Sequence, residues 1–325
     1  MKATGGIGEG AWGAARSILL GLALLALPLR AATRVGILLF GEATSYFDSA
    51  RGVTDALREA GFREPETTFV VERAGSNKAA ASEIAHRFAR EGFSLVVALG
   101  TSAAVAAARE MSETPVVFAR VYDPVDAGIV RSLASSGNNT TGMSARVPME
   151  RVVEALLLAR PVRRLAVLYT PRERNSASQL RDLLAVQAST GIKVVPVPVA
   201  SDEEIRIVLP RLLKTVDAIY VTGSNVVGQS VSAIVEAGIR GNVVTVTHLE
   251  EMVARGVLLG VAGDGYDEGR LAGARAVRVL RGESPSSVPI GQPTRFDLLL
   301  NIATAGKGDF RLPAPFLAAV TRKLP

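Results

Sequence analysis

Three places in this chain set hydroxyl or amide side chains where a strand is expected to hand over to a helix: Ser45 and Tyr46, Thr101 and Ser102, and Ser224 and Asn225. Such a turn holds free backbone N–H groups at the positive end of a helix dipole, which suits a carboxylate or phosphate. The same residue types also serve as simple N-caps, so each turn has a purely structural reading beside the chemical one. Tyr122 and Asp123 follow the apolar run VVFA. There an aspartate can accept an ammonium or hydroxyl, or make an Asx turn ahead of Pro124. Tyr169 lies at the end of the strand-like RLAVLYT and Asn175 follows it, with Arg174 between them as a carboxylate clamp or a solvated helix-start residue. His248 follows VVTVT, at a strand end where it either touches a ligand or packs and caps; Asp264 and Tyr266 read as hinge or ligand residues.

The elements that must position these residues occur twice. FSLVVALGTSAAV (Phe93 to Val105) and VDAIYVTGSNVV (Val216 to Val227) are each a β-branched strand, a Gly-plus-hydroxyl turn and an apolar helix. Each half opens alike, with RVGILLF and RLAVLYT, and adds a further buried strand, VVFA and VVTVT. The fold class is therefore α/β, with two similar doubly wound parallel-sheet lobes joined by several hinge strands. Ligands of open α/β sheets bind at strand carboxyl ends, which here face one crevice between the lobes.

The helix from about Ser45 carries Phe47, Ala50, Val53, Leu57 and Ala60 at helical spacing, and TTFVVER is the next strand. In the second half, helices are expected near Asn175 to Gln187, Asp202 to Leu213 and Val226 to Ala237. Pro196 and Pro198 in KVVPVPV mark an edge strand. Crossings between lobes are expected near Arg146 to Met149, Gly263 to Tyr266 and Pro289 to Arg295. The first lobe then comprises residues 33–146 plus about 265–290, and the second 147–264 plus about 291–325. A few residues at element ends are enough for hinge closure around a ligand.

With 325 residues and 48% hydrophobic content, the chain is long enough for two cores. Its net charge of +6 is spread as scattered arginines without a like-charge run, so no nucleic-acid partner is expected. The absence of cysteine excludes disulfides, thiol catalysis and Cys-ligated metals. The two histidines, His86 and His248, are too few for a His-based zinc site, so neither metal nor cofactor is expected. No G-x-S-x-G elbow, Walker loop or H-E-x-x-H occurs, and the chain does not read as an enzyme.

Ser17 to Leu29, SILLGLALLALPL, is an apolar run of signal-peptide length, too short to span a membrane comfortably. The signal segment is residues 1–31, with cleavage near Ala31 or Ala32, or retention as an uncleaved tether. Without cysteine there is no lipobox. The run Gly6 to Gly10 lies ahead of this segment with no strand before it, and is no dinucleotide fingerprint. Asn138 and Thr140 form a sequon by chance.

TPVVFARVYDPVDAGIVRSLASSGNNTTGMS, Thr114 to Ser144, resembles the P-I-V-F-x-x-V-x-D-P-V-x-A-G-L-V segment, with its downstream N-V-T-G, of ABC transporter substrate-binding proteins related to tryptophan- and phenylalanine-binding lipoproteins. LAVLYTPRERNS, LLGVAGDGYDEGRLAGARAVRVLRGESP and LLLNIATAGKGDFRLPAPFLAAV are similar to later segments of that family, so the resemblance covers about Thr33 to Leu324. It implies a type I periplasmic-binding-protein fold, a periplasmic location, an ABC permease as partner and a small organic solute such as an amino acid, aromatic ones included, or a related carboxylate. At the turn where the family often has T-D-N-T, this chain has TGSNVV, which keeps Asn225 but offers no aspartate to pair an amino group. The expected protein is a monomeric, exported solute-binding protein. The competing readings are an extracytoplasmic sensor docking on a membrane receptor and, behind it, an enzyme.

Overall fold

The computed structural model describes residues 32–325, so the expected signal segment lies outside the described residues. The first half runs β1 (Thr33–Leu39), α1 (Thr44–Glu59), β2 (Thr67–Arg73), α2 (Lys78–Arg90), β3 (Leu95–Leu99), α3 (Thr101–Glu110), β4 (Val116–Val121) and β5 (Thr140–Ser144). The second runs α4 (Met149–Ala159), β6 (Arg164–Tyr169), α5 (Arg174–Ala185), α6 (Gln187–Thr190), β7 (Lys193–Pro198), α7 (Asp202–Leu212), β8 (Ala218–Val221), α8 (Asn225–Gln229), α9 (Val231–Gly241), β9 (Val244–Thr247), α10 (Glu250–Ala254) and β10 (Leu259–Ala262). The remainder is α11 (Gly265–Leu280), β11 (Asp297–Asn301), α12 (Ile302–Lys307), α13 (Ala314–Ala319) and β12 (Arg322–Leu324).

The repeat seen in the sequence is a repeat of topology. One sheet has the order β2-β1-β3-β4-β5, and the other contains β7-β6-β8-β9-β10, extended by β11 and β12. Strand side chains alternate, so each sheet buries both faces. In the first sheet Val35, Ile37 and Leu39 pack with Val53 and Leu57 of α1 and Ala272 and Ala276 of α11. Leu38 and Phe40 point the other way, towards Ile84 and Phe88 of α2 and Ala103 of α3. In the second sheet Leu165, Val167 and Tyr220 meet Val153 and Leu156 of α4, while Leu168, Ile219 and Val221 meet Ile205 and Leu209 of α7. β7 lies at the sheet edge, where the missing N–H groups of Pro196 and Pro198 cost no ladder bond.

Three details depart from the sequence reading. β11 pairs antiparallel to β10, because the chain re-enters the second sheet from the carboxyl end of β10 after its excursion through α11. The expected helix over Val226 to Ala237 is two helices that meet at Ser230. On α1 the buried face is Ser45, Ser49, Ala50, Gly52, Val53 and Leu57, whereas Phe47 is exposed. The reason is α11, which packs so closely that small residues must fill the contact. A Cβ on Gly269 would stand 2.1 Å from the Ser49 carbonyl oxygen, and one on Gly52 would stand 2.3 Å from the Tyr266 carbonyl oxygen.

α11 therefore belongs to the first lobe although it follows β10 of the second. The chain passes between sheets over residues 145–148, between β10 and α11 at 263–264, and ahead of β11 over 292–296. Gly291 stays with the first sheet, accepting from the Ser144 N–H and donating to the Gly142 carbonyl. Among the described residues no helix is long and apolar enough to cross a membrane.

Candidate functional site

The carboxyl ends of the two sheets enclose a cleft of about 1160 Å³. From the first lobe the lining includes Tyr46, Thr101 and Ser102. At the head of α3, Gly100 has φ 101°, a region that favours glycine, and no side chain caps the helix. Thr101 and Ser102 are half-buried in the lining, so this helix start faces the cleft with its first N–H groups and two hydroxyls together.

The matching turn of the second lobe is already occupied by the chain itself. Ser224 caps α8 by accepting from the Val227 N–H, and its hydroxyl lies 2.7 Å from Thr170 Oγ1. Glu173 Oε2 accepts the Asn225 N–H at 2.9 Å. Asn175 Nδ2 donates to the Gly223 carbonyl, and Gln179 Oε1 accepts the Gly223 N–H. Where the sequence suggested a second anion cradle, a carboxylate of α5's N-cap residue fills the place. Ser224, Asn225 and Asn175 do line the cleft, but largely as the frame of the turn.

At the cleft floor is a residue the sequence reading passed over. Arg120, near the end of β4, has φ 59°, a costly conformation for a non-glycine residue, where the β4–β5 register shifts between Phe118 and Val121. The irregularity turns its side chain inward, where only 8% remains exposed. Nη2 donates to Ser45 Oγ at 3.0 Å and to Glu251 Oε2 at 3.1 Å, Nη1 lies 3.5 Å from Glu268 Oε2, and the guanidinium sits 5.4 Å from the Tyr46 ring centroid. Ser45 Oγ in turn donates to Glu251 at 3.2 Å. Burial pushes the Tyr46 phenol up to about 12, Arg120 opposing and Glu251 and Glu268 adding to the rise. Arg120, Ser45 and Glu268 belong to the first lobe, and Glu251 of α10 reaches them from the second.

His248 is buried beside this floor, and its Nδ1 lies 2.6 Å from the Tyr220 hydroxyl. Burial, helped by the Arg120 charge, pushes its pKa down to about 3, so the ring is neutral at pH 7. Burial also raises the Tyr220 phenol well above its ordinary value, so that it keeps its proton to donate to Nδ1. The ring's own proton then belongs on Nε2. Tyr122 meets His248 edge-on at 5.1 Å between centroids, and its hydroxyl donates to Asp182 of α5 at 2.6 Å. Arg146 Nε donates to the same carboxylate at 2.9 Å, next to the first crossing.

Of the sequence candidates, Tyr46, Thr101, Ser102, Tyr122, Asn175, Ser224, Asn225 and His248 line the cleft. Ser45 is buried and reaches it through Arg120 and Glu251. Three others do not line it. Asp123 makes the Asx turn, accepting from the Val125 and Asp126 N–H groups, and faces Arg146 at 3.6 Å. Tyr169 packs against the second lobe's core. Asp264 caps α11 by accepting the Asp267 N–H. Tyr266 also turns away, donating to Asp55 on α1. Arg174 is exposed yet lines the cleft, donating from Nη1 to the Asp126 carbonyl of the first lobe at 3.0 Å. The signal for Arg120 was present as a lone arginine inside the apolar strand VVFARV; Glu251 and Glu268 read as ordinary acidic residues of helix first turns. Among the described residues no group of three or more His, Asp or Glu could hold a metal ion.

Known proteins match this architecture. The family model described as ABC transporter substrate binding protein matches residues 34–322. A curated relative, the tyrosine-binding protein of Clostridioides difficile, is 24% identical over 269 residues, 82% of this chain and 78% of its own length. The crystal structure of an ABC domain in complex with L-Trp from Streptococcus pneumoniae superposes with a TM-score of 0.81 at 25% identity, covering 90% of this chain and 99% of that one. The ligand-free, open structure of a substrate binding protein with adhesive properties from Clostridium difficile gives 0.74 at 25% identity, covering 90% and 100%. A solute binding protein from Bacillus halodurans with bound myo-inositol shares the fold at a TM-score of 0.54. The architecture is that of type I periplasmic binding proteins, and these relatives bind solutes and are not enzymes. The chain belongs to the family of ABC transporter substrate-binding proteins.

Proposed function

We propose that this chain is the exported, periplasmic binding component of an ABC importer, a monomer that closes its lobes on an aromatic amino acid and presents the closed form to a permease. The lobes are residues 33–146 with about 265–290, and 147–264 with about 291–325. The observation that carries this reading is the opposition across the cleft. On one side stand the uncapped start of α3 with Thr101 and Ser102, and on the other the neutral imidazole of His248. Both offer donors to a carboxylate. Tyr46, Tyr122 and Phe40 supply aromatic walls in the same lining. A relative named for tyrosine and another crystallised with L-Trp support this ligand class. Closure then acts as a population shift, since a ligand touching both lobes favours the shut form.

Titration calorimetry of the purified chain against L-tryptophan, L-tyrosine, aliphatic amino acids and sugars tests the reading. Binding of aromatic amino acids, with sugars silent, is expected. Sugar binding with no response to any amino acid would replace this ligand class.

A further inference from the structure

The cleft-lining carboxylates differ in how far the chain already satisfies them. Glu173 accepts the Asn225 N–H, Glu250 is held by Arg322 at 2.6 Å, and Glu251 is held by Arg120 and Ser45. Glu42 pairs with Arg73 at the exposed rim. Glu268 is different: its side chain is 4% exposed, and Oε2 has no hydrogen-bond partner. Its nearest cation, Arg120 Nη1, stands at 3.5 Å, and the other arm of that guanidinium is committed to Glu251 and Ser45. A half-buried and a buried carboxylate thus share one guanidinium, and Glu268 has the longer contact with it. A buried acceptor left in this way is costly unless something donates to it.

The neighbour of this carboxylate in the cleft lining is a glycine. Gly263 also lines the cleft, and a Cβ there would stand 2.9 Å from Glu268 Oε1, crowding the carboxylate. The turn over 222–225 contains no aspartate, so the second lobe's turn offers no free carboxylate in its place.

We propose that Glu268, reached from the cleft past Gly263, is the residue that accepts the ammonium group of the amino-acid ligand and so distinguishes amino acids from simple carboxylates. The assignment rests on the amino-acid reading above and adds the atom that recognises the amine. Burial raises the Glu268 pKa, Arg120 opposes that, and Glu251 and Asp264 reinforce it. A ligand ammonium arriving at this carboxylate from the Gly263 side supplies the missing positive charge and holds it ionised.

The experiment compares L-tryptophan and L-tyrosine with 3-indolepropionate and 3-(4-hydroxyphenyl)propionate, which lack only the amine, by titration calorimetry on the full chain and on E268Q. The wild type should prefer each amino acid over its desamino partner. E268Q should weaken amino-acid binding by about tenfold or more and leave the propionates within about twofold, as expected for one charge-assisted hydrogen bond. Gly263→Ala, which crowds the same carboxylate without removing it, should produce the same selective loss and covers the case in which E268Q does not fold. Equal weakening of both ligand types, or no change in either, would overturn the role of Glu268 while the amino-acid reading stands. A wild type that binds none of the amino acids would overturn that reading, and this proposal with it.

Discussion

Arg120 and Glu251 meet across the cleft at 3.1 Å, each largely buried, although one ends a strand of the first lobe and the other opens α10 of the second. The pair is a contact that only the approach of the lobes can make. Together with Asp126, which accepts from Ser178 at 2.5 Å and Arg181 at 2.9 Å on α5, and Tyr122, which donates to Asp182 of the same helix, it ties the lobes at separate points.

Arg120→Met removes one member of a buried charge cluster and leaves Glu251 and Glu268 without a counter-ion. Such a loss costs about 3–5 kcal/mol where both groups stay buried. The lobes have a cheaper response, which is to separate and return Glu251 to water. The expected result is a larger radius of gyration by small-angle scattering, with a smaller fall in melting temperature than full burial would demand. An unchanged radius with an unchanged melting temperature would show that the pair does not hold the lobes.

His248 titrates far below the ordinary histidine range because burial and the Arg120 charge disfavour its cation. The folded chain therefore binds fewer protons at this site than the unfolded one between pH about 3 and the ordinary histidine value of 6.5. Its stabilising contribution is complete above pH 6.5 and is lost as pH falls, with a slope of at most about 1.4 kcal/mol per pH unit. Urea unfolding at pH 7 and pH 5 should show the loss in the wild type and a reduced loss in His248→Gln. Parallel pH profiles would place the acid sensitivity elsewhere.

Ser102 and Ser224 occupy corresponding turns but should respond differently to alanine. Ser224 caps α8 and bonds Thr170, so Ser224→Ala should lower stability by about 1 kcal/mol. Ser102 caps nothing and lines the cleft, so Ser102→Ala should leave the melting temperature within about one degree while weakening ligand binding several-fold. Thermal melts with and without L-tryptophan separate the two effects, and a purely structural effect of Ser102→Ala would remove it from the site.

Gly269→Ala forces a methyl group against the Ser49 carbonyl at 2.1 Å, where backbone on both sides must give way. Overpacking of this kind costs about 1–3 kcal/mol. The melting temperature should fall by several degrees, whereas Gly306→Ala, with nothing within 4 Å of the added carbon, should be close to neutral. Equal responses would mean that α1 and α11 can slide apart at little cost.

The sequence by itself determined the two-lobe α/β plan, because that plan is written in local features: the strand, Gly-hydroxyl turn and apolar helix repeated at Phe93 and Val216, and the prolines that put β7 at an edge. It also brought Thr101, Ser102 and His248 to the cleft, since the carboxyl end of a strand is a position that periodicity can locate. What it could not decide depends on residues far apart in the chain. Arg120, Glu251 and Glu268 become a charge cluster only when β4, α10 and α11 converge, across separations of 131 residues for the pair that bonds. Asp123 and Asp264 look equally suited to a ligand in sequence, yet each spends one carboxylate oxygen on nearby N–H groups and turns the other to an arginine, Arg146 and Arg322 respectively. Glu173 shows the converse: an unremarked acid ahead of α5 reaches the Asn225 N–H across the sheet and closes the turn that sequence offered to a ligand. Local pattern fixes which elements form; the buried charges that shape the cleft follow from packing, which tertiary structure alone supplies.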